Sequence, residues 1–308
     1  MNQLYSVVGV SKQAVAQQAS RQTTRTNNLI VLMNQVDVER DKCGGMGLRA
    51  LYHKLQPNWI GRDRFEQSLG DMGYKVKKTK AYHRTTHAGK VIFSNLIEGM
   101  VLNERWVVWQ SDTTYYRIKE RHFYLTTIID IYDRCIDGFA VHDTLATEAN
   151  LEALHMALRS CRKSRDAIRI HHSDRGSQYG SKAYCSLLSK HNIAISMGKS
   201  GQDNAYAERL HDTLKNQYIG YWNPTSLADL KRYTQRAIRH YNKERAHRSL
   251  TMHIPSMYRE LSQIGPVDDV HIVYSASKEL DRISPHDPDH LEINGPYCRL
   301  TFVQNGQH

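Results

Sequence analysis

The sequence predicts two structural classes in one chain: a helical N-terminal region, then a mixed α/β sheet flanked by helices. Three observations carry this. Helix-period apolar residues dominate roughly the first quarter of the 308 residues. From Trp106 the texture becomes β-rich, in three closely spaced runs. Beyond them, short apolar runs alternate with amphipathic segments, the pattern of a sheet layered with helices.

The first stretch, "LYSVVGVSKQAVAQQASRQ", reads as helix, tight turn, helix. Gly9 marks the turn and Ser11 is placed to cap the second helix. Val15 and the alanines form an apolar face; Lys12, Gln13, Gln17, Gln18 and Arg21 form a polar one. The pattern fits a helix-turn-helix, whose second helix enters a major groove, and it equally fits an ordinary helical hairpin. A second helical pair follows in "GMGLRALYHKLQ" and "GRDRFEQSLGDMGY", with Arg62 and Arg64 near the start of its second member. "KVKKTKAYHRTTHAGK" then holds five lysines, an arginine and two histidines in 16 residues. It is a basic arm able to lie along phosphates through residues such as Lys77 and Lys78, or a solvated connector.

"RWVVWQSDTTYYRI", "HFYLTTIIDIYDR" and "CIDGFAVHDT" predict an antiparallel meander. "TEANLEALHMALRSCRK" is helical, "DAIRIHH" a short buried strand, "SKAYCSLLSKHN" a helix and "IAISM" another strand. "DNAYAERLHDTLKNQYI" and "SLADLKRYTQRAIRHYNKERAH" complete the set as helices. The expected organisation is a helical region with its basic arm over residues 1–95, a sheet-containing core over 100–262 and an extension over 263–308.

Charge follows the same division. The net charge is +11; residues 1–100 carry +8, residues 101–264 carry +7 and residues 265–308 carry −4. A broad positive field suits a polyanion such as DNA or RNA, because Lys and Arg contacts release condensed counterions; it also suits a merely soluble basic protein. None of the five cysteines forms a CxxC pair, so they read as reduced thiols of a cytosolic protein. No apolar run approaches the ~20 residues that span a membrane, and the N-terminus has no basic-then-apolar signal pattern.

Three carboxylates can converge on one end of the sheet. Asp112 ends the first strand in "WQSDTTYY", Asp174 ends the fourth in "IHHSDRGSQY", and Glu208 lies on the helix of "DNAYAERLHDTLK". Gly176 and Ser177 allow a sharp turn after Asp174, which keeps that carboxylate at an open edge. Three such groups repel one another at neutral pH, and Mg²⁺ or Mn²⁺ relieves the repulsion with all-oxygen ligands. Two ions ~4 Å apart can clamp the attacking and leaving oxygens of a phosphodiester. With 31 acidic residues in the chain, spacing alone selects no triplet. His171 and His172 read as packing or loop-holding residues rather than ligands, and Asp130, Asp133 and Asp137 as turn and solubility residues between strands.

The motifs "SDTTYY", "FYLTTIIDIYDRCIDGFAV", "HHSDRGSQYGSKAY", "SMGKSGQDNAYAERLHDTLK" and "YNKERAHRSLTMHIPSMYRE" together resemble the integrase-type transposases of bacterial insertion sequences. The likeness is to the IS-three family, relatives of the retroviral integrases, and runs in order over about residues 100–260. It implies an RNase H-like core preceded by a DNA-binding helical region. Asp112, Asp174 and Glu208 match the family's DDE triad, with two Mg²⁺ or Mn²⁺ ions per site, Asp112 between them and Asp174 and Glu208 holding one each. Lys215, seven residues after Glu208, matches a basic position at the element end; Arg175, Lys199 and Asn204 are further candidate DNA contacts in the core, and Lys12, Gln13, Arg62, Arg64, Lys77 and Lys78 in the N-terminal region.

The implied reaction cuts one strand at an element end and uses the freed 3′-OH to attack a second phosphodiester. Its implied setting is the bacterial cytoplasm and nucleoid. Element ends and target DNA are the partners, with at least a dimer to pair two ends and an upstream helix-turn-helix protein as a further partner. Two departures stand out. The gap between Asp174 and Glu208 is 33 residues, about two shorter than the family's, and the tail beyond residue 262 matches no motif of the set. The rival readings are a catalytically silent DNA-binding protein and a nuclease that only hydrolyses.

Overall fold

The computed structural model describes residues 9–76, 93–161, 169–198, 201–262 and 271–273. The chain divides into two compact units, Met1–Lys78 and Thr79–His308.

In the first unit α1 is one helix of 31 residues, Lys12–Lys42. Ser11 caps it, its side chain accepting from the Ala14 amide, and Gly9 turns ahead of it at φ 68°. The first helix of the expected helix-turn-helix falls on residues 1–8, outside the described residues. The second is far longer than that motif requires. Its N-terminal half is exposed, whereas Leu32 and Val36 near its C-terminal end are buried. The other buried residues of this unit include Leu51 on α2 (Leu48–Leu55) and Phe65 and Leu69 on α3 (Arg62–Asp71). Tyr52 meets Phe65 edge-on at 5.4 Å, an aromatic pair that fixes α2 against α3. Lys77 and Lys78 of the basic arm lie outside the described residues.

The second unit is built on the expected mixed sheet. A short strand β1 (Met100–Leu102) precedes β2 (Val108–Ile118), β3 (Arg121–Asp130) and β4 (Ile136–His142), which form the antiparallel meander. Lys119, at φ 53°, makes the tight turn between β2 and β3. Beyond α4 (Thr147–Ser160), β5 (Arg169–Ser173) runs parallel to β2; beyond α5 (Lys182–Lys190), β6 (Ile193–Met197) runs parallel to β5. The sheet order is β4-β3-β2-β5-β6. Parallel neighbours need helical crossovers, and α4 and α5 supply them.

Side chains alternate across the sheet. Trp109 and Ile128 join Ala153, Ala157 and Leu154 of α4 and Tyr184 and Leu188 of α5 in one core cluster. Val108 and Ile170 face the other way and pack with Tyr132, Leu250 and Tyr258. Helices α6 (Ala205–Thr213), α7 (Leu227–Lys243) and α8 (Pro255–Leu261) complete this unit. Phe93 packs on the first cluster and the Ser94 carbonyl accepts from Met197, so residues 93–95, expected in the N-terminal region, run with the core. Of the C-terminal extension, β7 (His271–Val273) pairs antiparallel with β1; the rest lies outside the described residues.

The acidic residues read as turn and solubility groups are interior. Asp130 and Asp133 are 0 % exposed and Asp137 6 %. Asp130 accepts from the amides of Trp106 and Tyr132 at 2.6 and 2.9 Å. Arg259 of α8 reaches both Asp133 and Asp137, with 2.8 Å to the latter, and Trp109 Nε1 donates to Asp137 at 3.1 Å. The cluster thus pins α8 to the β3–β4 turn. Buried carboxylates require such partners, and here the partner lies 122 residues away from Asp137.

Candidate active site

The site begins where a parallel partner stops. β2 and β5 pair up to Ser111 and Ser173, and the next residues along the two chains are Asp112 and Asp174. Asp112 therefore does not end its strand. β2 continues six residues further, to Ile118, because β3 still pairs with it there. Past Ser173 the chain leaves the sheet in a turn, in which the Asp174 carboxylate accepts from the Gly176 amide at 3.0 Å. Arg175, in that turn, is half-buried.

Helix α6 crosses the Gln110–Asp112–Thr114 face of β2 in matched steps. Gln110 Nε2 donates to the Asp203 carbonyl, and its Oε1 accepts from the amides of Tyr206 and Ala207 at 3.1 and 3.3 Å. His211 Nδ1 lies 3.2 Å from Asp112 Oδ2, and Lys215 Nζ donates to Thr114 Oγ1. Positions 207 and 211 thus meet positions 110 and 112, and the π-turn beyond them brings Lys215 to position 114. Four helical residues rise about 6 Å and two strand residues about 6.6 Å, so the two series stay in step. Glu208 follows Ala207 on the exposed side of α6.

The electrostatics tie the three carboxylates together. The Glu208 carboxyl is pushed above its usual range, first by partial burial and then by the negative charges of Asp112 and Asp174. Beneath the aspartates the buried Tyr179 hydroxyl bonds Ser111 and Thr113, and burial followed by the charges of Asp112 and Asp174 keeps it neutral. The donors are all carboxylate oxygens, and their mutual repulsion is the electrostatic condition that a divalent oxygen-loving cation relieves. Among the described residues, no three His, Cys, Asp or Glu side chains are closed to metal-ligand geometry; the triad as placed is open.

The other candidate residues distribute differently. Lys215 is not a solvated helix residue. The helix widens to a π-turn over Leu214–Ile219, and the ammonium is drawn onto the sheet, 5.0 Å from the Tyr115 ring centroid. Burial pushes its pKa down while the charges of Asp112 and Asp212 hold it up. Asn204 is 1 % exposed and donates to the Ser111 carbonyl at 3.0 Å, at the point where β5 no longer accompanies β2. Its amide nitrogen is thus engaged in the interior, beside the start of α6. Lys199 lies outside the described residues. Lys12, Gln13, Arg62 and Arg64 are exposed in the first unit, with Arg62 paired to Asp63 at 2.8 Å.

His171 and His172 are buried and bond Tyr184 and Ser196, each at 2.8 Å; burial pushes their pKa values down to about 3 and about 4. Both are neutral packing groups. Sequence reasoning missed His211 and Gln110. The signal for His211 was its place three residues after Glu208 in "AERLHDT"; Gln110 had only its alternation with Asp112.

Residues 103–202 and 190–255 match two family models, each described as an integrase core domain. The insertion element IS600 uncharacterized 31 kDa protein of Shigella sonnei is 31% identical over 229 residues, which are 70% of this chain and 81% of that protein. The transposase InsF for insertion sequence IS3A of Escherichia coli (strain K12) is 31% identical over 160 residues, 49% of this chain and 54% of InsF. The match thus spans about half of that relative. Among solved structures, the HTLV-2 integrase catalytic core domain aligns at a TM-score of 0.41 and 16% identity, covering 51% of this chain and 97% of that one. No helix among the described residues is long and apolar enough to cross a membrane.

Proposed function

Because the chain belongs to the integrase-type transposases of bacterial insertion sequences, we propose that it cuts the ends of a DNA element and joins them to new DNA, with Asp112, Asp174 and Glu208 as the catalytic carboxylates. The observation that carries this is the convergence of the three groups: Asp112 on β2 and Asp174 just past β5 lie where the parallel pairing of those strands ends, and their charges, after partial burial, push the Glu208 carboxyl of α6 upward. Two Mg²⁺ or Mn²⁺ ions held there would neutralise charge on the phosphodiester and activate the attacking oxygen.

The chain's own groups prepare that site. Gln110 fixes the start of α6, and His211 braces Asp112 from the buried side. The neutral Tyr179 hydroxyl holds Ser111 and Thr113, and the turn at Gly176 orients Asp174. Hydrolysis at an element end frees a 3′-OH, which then attacks a second phosphodiester; no covalent protein–DNA bond is needed. The basic N-terminal region binds the element end, the core cuts and joins it, and pairing two ends requires at least two copies. An upstream helix-turn-helix protein is a further partner, and the cytoplasm and nucleoid are the setting.

The test uses a labelled duplex carrying an element end, with Mg²⁺ or Mn²⁺. Strand-transfer products are expected, and Asp112→Asn, Asp174→Asn and Glu208→Gln should each abolish cleavage while end binding persists. Cleavage without any joining would identify a hydrolase. Near-parental cleavage in one variant would remove that carboxylate from the triad.

A further inference from the structure

We propose that the groove between α1 and the first turn of α3 binds the phosphate backbone of DNA, through Arg21, Arg25 and Arg64 with Trp59 as one wall. This rests on the reading of the chain as a DNA-cutting transposase, but it concerns a surface of the first unit that the carboxylate site does not include.

Arg21, Arg25 and Asn28 are spaced i, i+4, i+7 and line the groove from one face of α1. Trp59, Gly61 and Arg64 line it from the other side. Among the described residues no acidic side chain lines it. The two α3 carboxylates nearest Arg64 in sequence are engaged by other arginines: Asp63 pairs with Arg62 at 2.8 Å and Glu66 with Arg49 at 3.0 Å. Three guanidiniums therefore share a concave surface without a lining counter-charge. Like charges at i, i+4 weaken a helix, so Arg21 and Arg25 cost α1 stability that a bound polyanion restores.

The remaining features agree on the ligand. A guanidinium presents a planar fork matched to phosphate oxygens. Gly61 caps α3 without a side chain, so the first-turn amides of this ten-residue helix and the positive end of its dipole add to the same field. The half-buried indole of Trp59 supplies an apolar wall for a sugar or base beside the phosphate, the pairing of aromatic and cation that nucleic-acid surfaces use. The exposed N-terminal half of α1 also gains a purpose. Its residues 12–27 bury nothing in the unit, yet they extend one rim of the groove. Lys12 and Gln13, expected from sequence to read DNA, lie some 13 Å further along that helix from Arg21.

The experiment measures binding of the full-length protein to a labelled duplex by fluorescence anisotropy over a salt series. Arg21→Ala, Arg25→Ala and Arg64→Ala should each lower the slope of log affinity against log salt by about 1. Arg64→Lys should restore it. Arg117→Ala, an exposed arginine of the second unit paired with Glu120, should leave the slope unchanged. DNA should also quench indole emission in the parent more than in Trp59→Phe. All three arginines are exposed, and unchanged circular dichroism would exclude misfolding. Parental slopes in the three alanine variants, with the parent binding duplex normally, would overturn the groove and leave the transposase reading standing. A parent without salt-dependent DNA binding would overturn both.

Discussion

His211 Nδ1 lies 3.2 Å from Asp112 Oδ2, and the same ring's Nε2 lies 2.8 Å from Thr127 Oγ1. Thr127 is the cross-strand partner of Asp112. One buried imidazole on α6 therefore lies against both members of a β2–β3 pair, beside an Asp112 carboxylate that also accepts from the Thr113 amide. Glu208 is three residues earlier on the same helix, so the brace for one carboxylate and the position of the other are set by a single element.

Removing the brace should affect chemistry before binding. His211→Ala should slow single-turnover cleavage roughly 10–100-fold, the range for losing a group that orients a metal-holding carboxylate. Affinity for the element end should not move. His211→Gln should recover part of the rate, since an amide can still reach Thr127 or Asp112. Near-parental cleavage in His211→Ala would reduce the histidine to packing.

The α6 register also marks what sequence could and could not reveal. The meander, the two later strands and the helices between them were legible, because the β-branched and aromatic content of "FYLTTIID" and helix spacing in "NLEALHMAL" are local properties. Asp174 was legible as a strand-end carboxylate because Gly176 and Ser177 follow it. The surroundings of Asp112 were not. The end of its parallel pairing is set by β5, some sixty residues downstream, while β2 itself runs on with β3. Asp133 and Asp137 looked solvated for the same reason: their counter-charge, Arg259, is remote in sequence. A π-turn leaves no pattern in composition, so Lys215 could be placed only by assuming a regular helix.

Gly138 tests the packing of α4 on the sheet. A Cβ at this position would press into the Ala153 carbonyl and come within 3.1 Å of the Ala157 amide nitrogen, both rigid backbone. Gly138→Ala should destabilise the protein by about 1–3 kcal/mol, the cost of overpacking a close-packed site. Urea denaturation followed by tryptophan emission would read this as a lower midpoint, and an unchanged midpoint would mean that the helix moves away freely.

Arg259→Met should cost about 3–5 kcal/mol at neutral pH, because it leaves buried carboxylates without their cation. The loss should depend on pH in a defined direction. Burial already holds Asp130 and Asp137 above the usual carboxylate range, with the charge of Asp133 adding at both sites. Removing the guanidinium raises them further. A carboxyl with a raised folded-state pKa favours the fold when protonated, and that contribution is lost as pH rises through the folded value. The gap in unfolding free energy between parent and variant should therefore be smaller near pH 5 than near pH 8. An equal gap at both would mean that neighbouring polar groups, not protonation, absorb the charge.

Lys215 offers the sharpest contrast between sequence and structure. A regular helix would carry its ammonium out toward a phosphate of the element end. Instead Nζ donates to Thr114 Oγ1 beside the Tyr115 ring, one strand step along from Asp112. In this setting the ammonium lies in the field of Asp112 and Asp212. Lys215→Met, which keeps the apolar stem, should fold normally and lose at least about tenfold in cleavage, roughly 1.4 kcal/mol of barrier. Its salt dependence of end binding should match the parent's. An outward phosphate contact would instead lower that slope by about 1. Lys215→Arg should recover little, because a longer planar group cannot repeat a single bond to Thr114 in a half-buried slot. A lowered slope together with full rescue by arginine would show that the lysine swings out to the DNA, and full cleavage in Lys215→Met would remove it from the site altogether.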